Sequence, residues 1–415
     1  MRQPAAEIGH ARKTQRRRPK CFPRSWQAPC SNAREDPMMK AFDVAIAGGG
    51  LIGGSIALDL AQAGVRVAVF DQADPGHEAS WAGAGILSPA PESPATLPMV
   101  PLAQASMALY PQFVENVEEI SGQNVGFRRK GTLQALFSRD AARELSTVIA
   151  LHHGLGLKAE PIRADDAREL EPALSPGLEA AVLRPEEASV DNRALTRAVL
   201  FAARKSGAEV FAGRKVTSIW RDGDRCAGLI FAQGEERVSA KWTIIAAGCF
   251  SAQIAGAEIW APVKPAKGQM AALRANGVEI ERVLWSDKIY LVPRNDGRIL
   301  AGATVEYVGF DKHVTASGLE QLMSGALELA PGLASARVEE TWAGLRPASP
   351  DHLPILGAAA LEGLLIATGH FRSGITLAPI TARWMREWIT ESRIAIDCER
   401  FSPMRFADTQ RQATA

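Results

Sequence analysis

Cysteine is scarce in this 415-residue chain: Cys21, Cys30, Cys226, Cys249 and Cys398 are scattered, odd in number and without a CxxC pair. That set excludes a disulfide framework and a cysteine-built zinc site, and no metal is expected. A cytoplasmic location is the expectation. Long apolar runs are missing too. The best candidate, "VAIAGGGLIGGSIAL" at residues 44–58, is fifteen residues long with five glycines. A bilayer crossing takes about 20 residues and glycine is a poor helix former, so no membrane span is expected. Excess charge of one sign is absent from the body of the chain. The net charge is +1, but residues 1–37 hold nine Lys/Arg against three Asp/Glu, which leaves 38 against 43, or −5, for the remainder. A mildly acidic body without an evident basic patch argues against a nucleic-acid partner.

The basic leader, with "RRRPK" and "CFPRSWQAPC", contains no apolar core of about 7 or more residues and does not read as a signal peptide. Pro23, Arg24 and Gln27 break the stretch that a twin-arginine export signal would need. Three readings of residues 1–37 stay open: a start placed upstream of true initiation at Met38 or Met39, a disordered tail, or a targeting segment. The first is favoured because the first strand begins at Phe42, just past the Met pair.

What is present is a nucleotide signature. An apolar run from Phe42 to Ala47, a glycine turn, the helical spacing of Ile56, Leu60 and Ala63 up to Gly64, and a second run "VRVAVFD" make a βαβ unit. Within it Gly48-x-Gly50-x-x-Gly53 has dinucleotide spacing. Gly48 permits the tight turn, Gly50 lets backbone approach a pyrophosphate, and Gly53 lets helix pack on strand. The helix start points N–H groups at the phosphates. Asp71, 21 residues after Gly50, ends the second strand where a carboxylate accepts from ribose hydroxyls and repels a 2′-phosphate.

Further along, residues 103–120 and 140–152 have helical spacing, the first interrupted or opened by Pro111. "SVDNRALTRAVLFAARKSGAEV" offers Asp191 as N-cap and Gly207 as stop. Hairpin strands follow up to residue 248, a strand-rich stretch covers 262–307, and "GLLIATGHFRSGITLAPITARWM" reads strand, turn, helix, with the helix starting near Gly374. Nucleotide-type segments thus recur at 42–95, 185–260 and 335–400, with 96–184 and 261–334 inserted as a substrate domain. The expected class is α/β: a discontinuous Rossmann-type domain interleaved with a smaller antiparallel-sheet domain. A nicotinamide dehydrogenase would continue with βαβ units. Here "GHEASWAGAGILSPAPESP" follows, small and sparsely charged, able to pass beneath a flat ring. A second helix start near Gly374 suits an anionic ring, so FAD is preferred to NAD.

These stretches, with "PVKPAKGQM", "YLVPRNDGRILAGATVE", "WAGLRPASPDHLPILG" and "GHFRSGITLAP", resemble the glycine oxidase branch of the D-amino-acid oxidase family of FAD amine oxidases, from residue 42 to about 390. The resemblance implies FAD contacts at Leu51, Ile52, Asp71, Gln72, Ala79, Ser80, Ala84, Gly85, Ile86 and the backbone of Val216. It places His370, Phe371, Arg372, Ser373, Gly374, Ile375 and Thr376 along the flavin. Arg346 and Arg372 look like substrate-side arginines and Tyr290 like the hydroxyl beside the substrate carboxylate. No cysteine lies near "GLRPASP", which implies non-covalent FAD. The implied reaction is oxidative deamination of a small amino acid by oxygen, glycine first, then sarcosine or D-alanine. Its products are the imine or 2-oxo acid, ammonia and hydrogen peroxide. The alternative is a D-amino-acid or N-methyl-amino-acid dehydrogenase that uses a quinone or other carrier. A link to thiamine biosynthesis through a thiazole synthase, and a homo-oligomer such as a tetramer, come with the resemblance.

Residue chemistry bears on some of these roles independently. Arg346, between Leu345 and Pro347, is placed to grip a carboxylate bidentately; the competing role is an ion pair with an acid such as Asp351. For Arg372 the competing role is a loop salt bridge, for Tyr290 a core tyrosine with a satisfied hydroxyl. His370 is read as a loop anchor before a proton carrier, and Trp81 as packing.

Overall fold

The computed structural model describes residues 41–138, 140–232, 236–391 and 399–406. The leader with its three readings, and Cys21, Cys30 and Cys398, lie outside the described residues.

The first sheet is built around strand Ala41–Ala47, which pairs in parallel with both Val67–Phe70 and Arg237–Ile245. Glu209–Phe211 extends it beyond Val67–Phe70, and Leu364–Thr368 extends it beyond Arg237–Ile245, both in parallel. Ile355–Ala358 closes that edge antiparallel, and the hairpin Val216–Asp222/Arg225–Phe231 leans on Arg237–Ile245. Such a sheet is covered on both faces, which explains its unbroken apolar strands. Val44 and Ile46 pack with Ile56, Leu195, Val199 and Ile380 from the helices Leu51–Gln62, Asn192–Lys205 and Ala378–Glu391. Ala45 and Ala47 turn the other way, against Ile219, Leu229 and Trp260.

Local signals set the helix ends. Asp191 accepts from Arg193 N and Ala194 N at the head of Asn192–Lys205. Gly64, at φ +78°, closes Leu51–Gln62, with Val65 N bonded to Leu60 O and Gly64 N to Ala61 O.

The second sheet runs Arg337–Ala348, Lys264–Arg274, Ile299–Gly302, Tyr290–Pro293, Val283–Trp285, Thr132–Leu136, Ala180–Arg184, Glu160–Arg163. One face packs Leu273, Leu291 and Ala301 against Leu322, Ala326 and Leu329 of helix Ala316–Leu329. On the other, Met270, Val292 and Trp342 meet Ala82 and Ala84.

Several details depart from expectation. The second sheet has eight strands, like the first, and one of its pairs, Val283–Trp285 with Thr132–Leu136, is parallel. Arg337–Ala348 pairs along its length with Lys264–Arg274, so the segment 335–400 is divided between the two sheets. Periodicity cannot say which sheet a strand joins. Helix Val100–Ser121, from the inserted segment 96–184, packs Leu102, Tyr110 and Val117 into the core of the first sheet. It runs through Pro111, which is exposed, so water can serve the carbonyl left without a helical partner. The last helix begins at Ala378, not near Gly374; turns occupy 374–377. Among the described residues no helix is long and apolar enough to cross a membrane.

Candidate active site

Strand Ala41–Ala47 ends in the glycine turn, and Gly50 is the N-cap of helix Leu51–Gln62. Gly48 has φ +107°, and a Cβ there would stand 2.4 Å from Ala246 O. At Gly53 it would stand 2.0 Å from Gly48 O. Neither position accepts a side chain. At Gly50 a Cβ would meet only Ser80 Oγ, at 3.1 Å, so the space over the turn is left to a ligand. Leu51 N donates to Ser80 Oγ and Gly49 N to Asp71 Oδ2, each at 2.8 Å; Ala73 N donates to Asp71 Oδ1 at 3.0 Å. Each Asp71 oxygen keeps a lone pair for a ribose hydroxyl. The first helical turn holds no acidic residue to repel phosphate.

From this turn extends one cavity of about 750 Å³, within the range of about 300–1,000 Å³ usual for ligand sites. Gly48, Gly50, Leu51, Ile52, Asp71 and Gln72 line it, as do Ala79, Ser80, Ala84, Gly85, Ile86 and Val216. So do Tyr290, Arg346 and every residue from His370 to Thr376. Gly53 alone among the expected residues does not; it packs beneath the turn against Gly48 and Ile46.

Two of the lining segments are held by residues that sequence reasoning missed. Around 79–86, Asn192 Nδ2 donates to Ser80 O and Trp81 O at 2.8 and 3.0 Å, and Trp342 Nε1 to Ala82 O at 2.9 Å. Arg294 Nη2 donates to Ala84 O at 2.8 Å and Asn192 Oδ1 at 2.9 Å. Burial lowers the Arg294 pKa to about 10, which still leaves a cation at neutral pH. Trp81 packs, with the Arg193 guanidinium 3.5 Å from its ring centroid. Around 370–376, Ser106 Oγ donates to Thr376 O at 2.6 Å and Tyr110 Oη to Ile375 O at 2.8 Å. The signals were present: Ser106 and Tyr110 stand at i, i+4 on one helix face, and Arg294, like Arg346, is a cation set beside an apolar strand. His370 is 3% exposed, its Nε2 lies 3.1 Å from Thr381 Oγ1, and burial pushes its pKa down to about 3. It is a neutral anchor.

The two expected arginines differ. Arg346 stands opposite Ala266 in the sheet, and its guanidinium fills the space beside Gly268, where a Cβ would meet Nη1 at 2.1 Å. Nη1 donates to Thr304 O at 3.1 Å. Among the described residues no carboxylate pairs with it, and Asp351 is taken by Arg405 at 2.8 Å. Tyr290 stands close enough to Arg346 to feel its charge, and its Oη lies 3.5 Å from Met270 Sδ. Burial raises the tyrosine pKa, so the hydroxyl stays protonated, and burial lowers that of Arg346 without discharging a guanidinium. Arg372 instead pairs with Glu92, a residue not anticipated. A cation deep in a cavity without a counter-ion is costly unless an anion comes to it. Arg346 is therefore a cation open to an anion that enters the cavity.

Residues 43–388 match the family described as DAO, FAD dependent oxidoreductase. The chain is 33% identical over 379 residues to the bifunctional protein ThiO/ThiG of Synechocystis sp., an alignment covering 90% of this chain and 55% of that one. It thus spans about half the length of that relative. Among solved structures, glycine oxidase from Geobacillus kaustophilus superposes with a TM-score of 0.81 at 31% identity, over 87% of this chain and 98% of that one. Iminodiacetate oxidase (IdaA) from Chelativorans sp. BNC1 gives 0.79 at 31% identity, with the same coverage. The side-chain-free turn, the acid at the second strand and a cavity reaching from them to Arg346 fit FAD with a small anion beyond it. The chain belongs to the DAO family of FAD-dependent oxidoreductases.

Proposed function

We propose that this protein catalyses the oxidative deamination of a small amino acid, with glycine the first candidate and sarcosine and D-alanine next. The observation that carries this reading is Arg346, a cation inside the cavity with no carboxylate partner among the described residues and with the protonated Tyr290 beside it. The guanidinium takes the substrate carboxylate bidentately and the Tyr290 hydroxyl donates to it, which leaves the amino group and Cα directed away from the arginine. Arg372, held by Glu92, stands at the cavity wall as part of a neutral pair. Gly48, Gly50, Leu51, Ile52, Asp71 and Gln72 hold the adenosine diphosphate portion. Ala79, Ser80, Ala84, Gly85, Ile86 and the backbone of Val216 would also contact FAD, and 370–376 would lie along its ring, without a covalent bond. Bound FAD supplies the two-electron acceptor. The amine leaves as the imine, which water converts to the 2-oxo acid and ammonia while oxygen becomes hydrogen peroxide. Fusion of ThiO to ThiG in the Synechocystis relative supports a connection to thiazole formation in thiamine biosynthesis.

The test is a substrate panel on the purified holoprotein. Glycine should bleach the flavin absorbance without oxygen and yield peroxide with it. Bleaching without peroxide would make the protein a dehydrogenase; no bleaching by glycine, sarcosine or D-alanine would refute the substrate assignment.

A further inference from the structure

Arg346 and Arg372 line one cavity, and of the two only Arg346 lacks a carboxylate partner among the described residues. They are neighbours in space. Ala348 pairs antiparallel with His370, and Phe371 N donates to Pro347 O at 3.0 Å, so each arginine stands one residue beyond a shared hydrogen bond. Their Cα atoms are then at most about 13 Å apart, allowing one Cα step on each side of the bonded pair.

The partner of Arg372 comes from a distant segment, 280 positions earlier in the chain. Thr96 Oγ1 accepts from Glu92 N at 3.1 Å and from Ser93 N at 3.2 Å, which fixes the backbone that carries the Glu92 carboxylate. Its Oε2 accepts from Arg372 Nη1, and both residues line the cavity. The charges of Glu92 and Arg372 both act on Tyr290 and on Arg346. The pair therefore stands at the substrate end of the cavity and not on a remote surface.

A substrate with one carboxylate needs Arg346 alone. A second carboxylate would turn to Arg372, whose guanidinium already holds one, and would have to displace Glu92 or lie against it, like charge beside like charge. We propose that Glu92 is a specificity-determining residue: by occupying Arg372 it confines the substrate to amino acids with a single carboxylate. The room for a second carboxylate beside Arg372 is the space that the Glu92 carboxylate itself fills, so shortening Glu92 opens both the space and the cation. This inference rests on the amino-acid reading above.

The experiment follows anaerobic flavin bleaching by the holoenzyme with two acids of different reach, N-(carboxymethyl)glycine and N-(2-carboxyethyl)glycine. Each is compared with the amide of the same length, N-(carbamoylmethyl)glycine or N-(2-carbamoylethyl)glycine. In the wild type each amide should exceed its acid by about tenfold or more in kcat/KM, as one unmet charge-assisted hydrogen bond predicts. Glu92→Ala should move the acid-to-amide ratio toward the acid by about tenfold or more for at least one length, and Arg372→Met added to Glu92→Ala should cancel that shift. Each ratio is taken on one preparation, so changes in folding or flavin content drop out. An acid oxidised as well as its amide by the wild type, an unchanged ratio in Glu92→Ala, or a shift that survives the loss of Arg372 would overturn the assignment. If neither glycine nor any of the four compounds bleaches the flavin, the reaction reading fails. The role of Glu92 is then read by calorimetry: Glu92→Ala should bind one of the acids about tenfold more tightly than the wild type does, with its amide bound alike by both. Equal binding of both acids by the two proteins would overturn it.

Discussion

At the glycine turn the cavity wall comes from near neighbours in sequence, Gly48, Gly50, Leu51 and Ile52, and main-chain oxygens exclude a side chain at Gly48, at 2.4 Å, and beneath the turn at Gly53, at 2.0 Å. At the opposite chemistry, Tyr290 and Arg346 come from strands Tyr290–Pro293 and Arg337–Ala348, brought together through Ile299–Gly302 and Lys264–Arg274 between them. One end is a local backbone shape that a single insertion of volume destroys. The other is a charge held by long-range register, where removal of a side chain leaves the scaffold standing. Damage at the two ends should therefore have different signatures: loss of cofactor in one case, loss of substrate grip in the other.

The largest effect should come from Gly53→Val, whose side chain would collide with Gly48 O. A loss of roughly 3 kcal/mol or more is expected, with little flavin retained after gel filtration. Full flavin occupancy would break the contrast. Arg346→Ala should keep its flavin and lose a factor of about 10²–10³ in kcat/KM, as expected for one deleted partner of a desolvated ion pair worth about 3–4 kcal/mol. Loss of flavin instead would assign the arginine to the scaffold.

A smaller effect, readable only in acid, belongs to His370. Its native pKa of about 3 lies below the ordinary 6.5. Below pH 6.5 the unfolded chain binds a proton that the native state refuses, so stability falls as the pH drops from about 6.5 toward about 3. Between pH 7 and 5, His370→Gln should lose about 2 kcal/mol less than the wild type in denaturant titrations. Parallel losses would mean that the ring is not buried neutral.

The smallest effect should be that of Arg372→Ala. Its partner Glu92 and the arginine itself are each about one-third exposed, at 32% and 34%, and such pairs are worth about 0–1 kcal/mol. A fall in kcat/KM of less than about tenfold is expected. A fall equal to that of Arg346→Ala would show that both arginines grip the carboxylate.

The same contrast accounts for what could be read before the structure. The turn, its helix and Asp71 lie within thirty residues, so spacing alone carries their geometry, and the caps at Asp191 and Gly64 are local in the same way. Arg346 was distinguishable from a solvated arginine by its apolar neighbours. That Asp351 belongs to Arg405 and Arg372 to Glu92 was not legible, because those partners stand 54 and 280 positions apart. That Arg337–Ala348 joins the second sheet was not legible for a like reason: an alternating strand carries no mark of its neighbour.

The order of the first sheet has a consequence for how the protein is made. Ala41–Ala47 emerges early from the ribosome, yet Leu364–Thr368, which completes the parallel core beyond Arg237–Ile245, emerges more than three hundred residues later. At synthesis rates of about 5–20 residues per second, tens of seconds separate the two. The nascent glycine turn is thus exported from the tunnel long before the wall at 370–376 exists, so complete capture of the cofactor belongs to the finished chain.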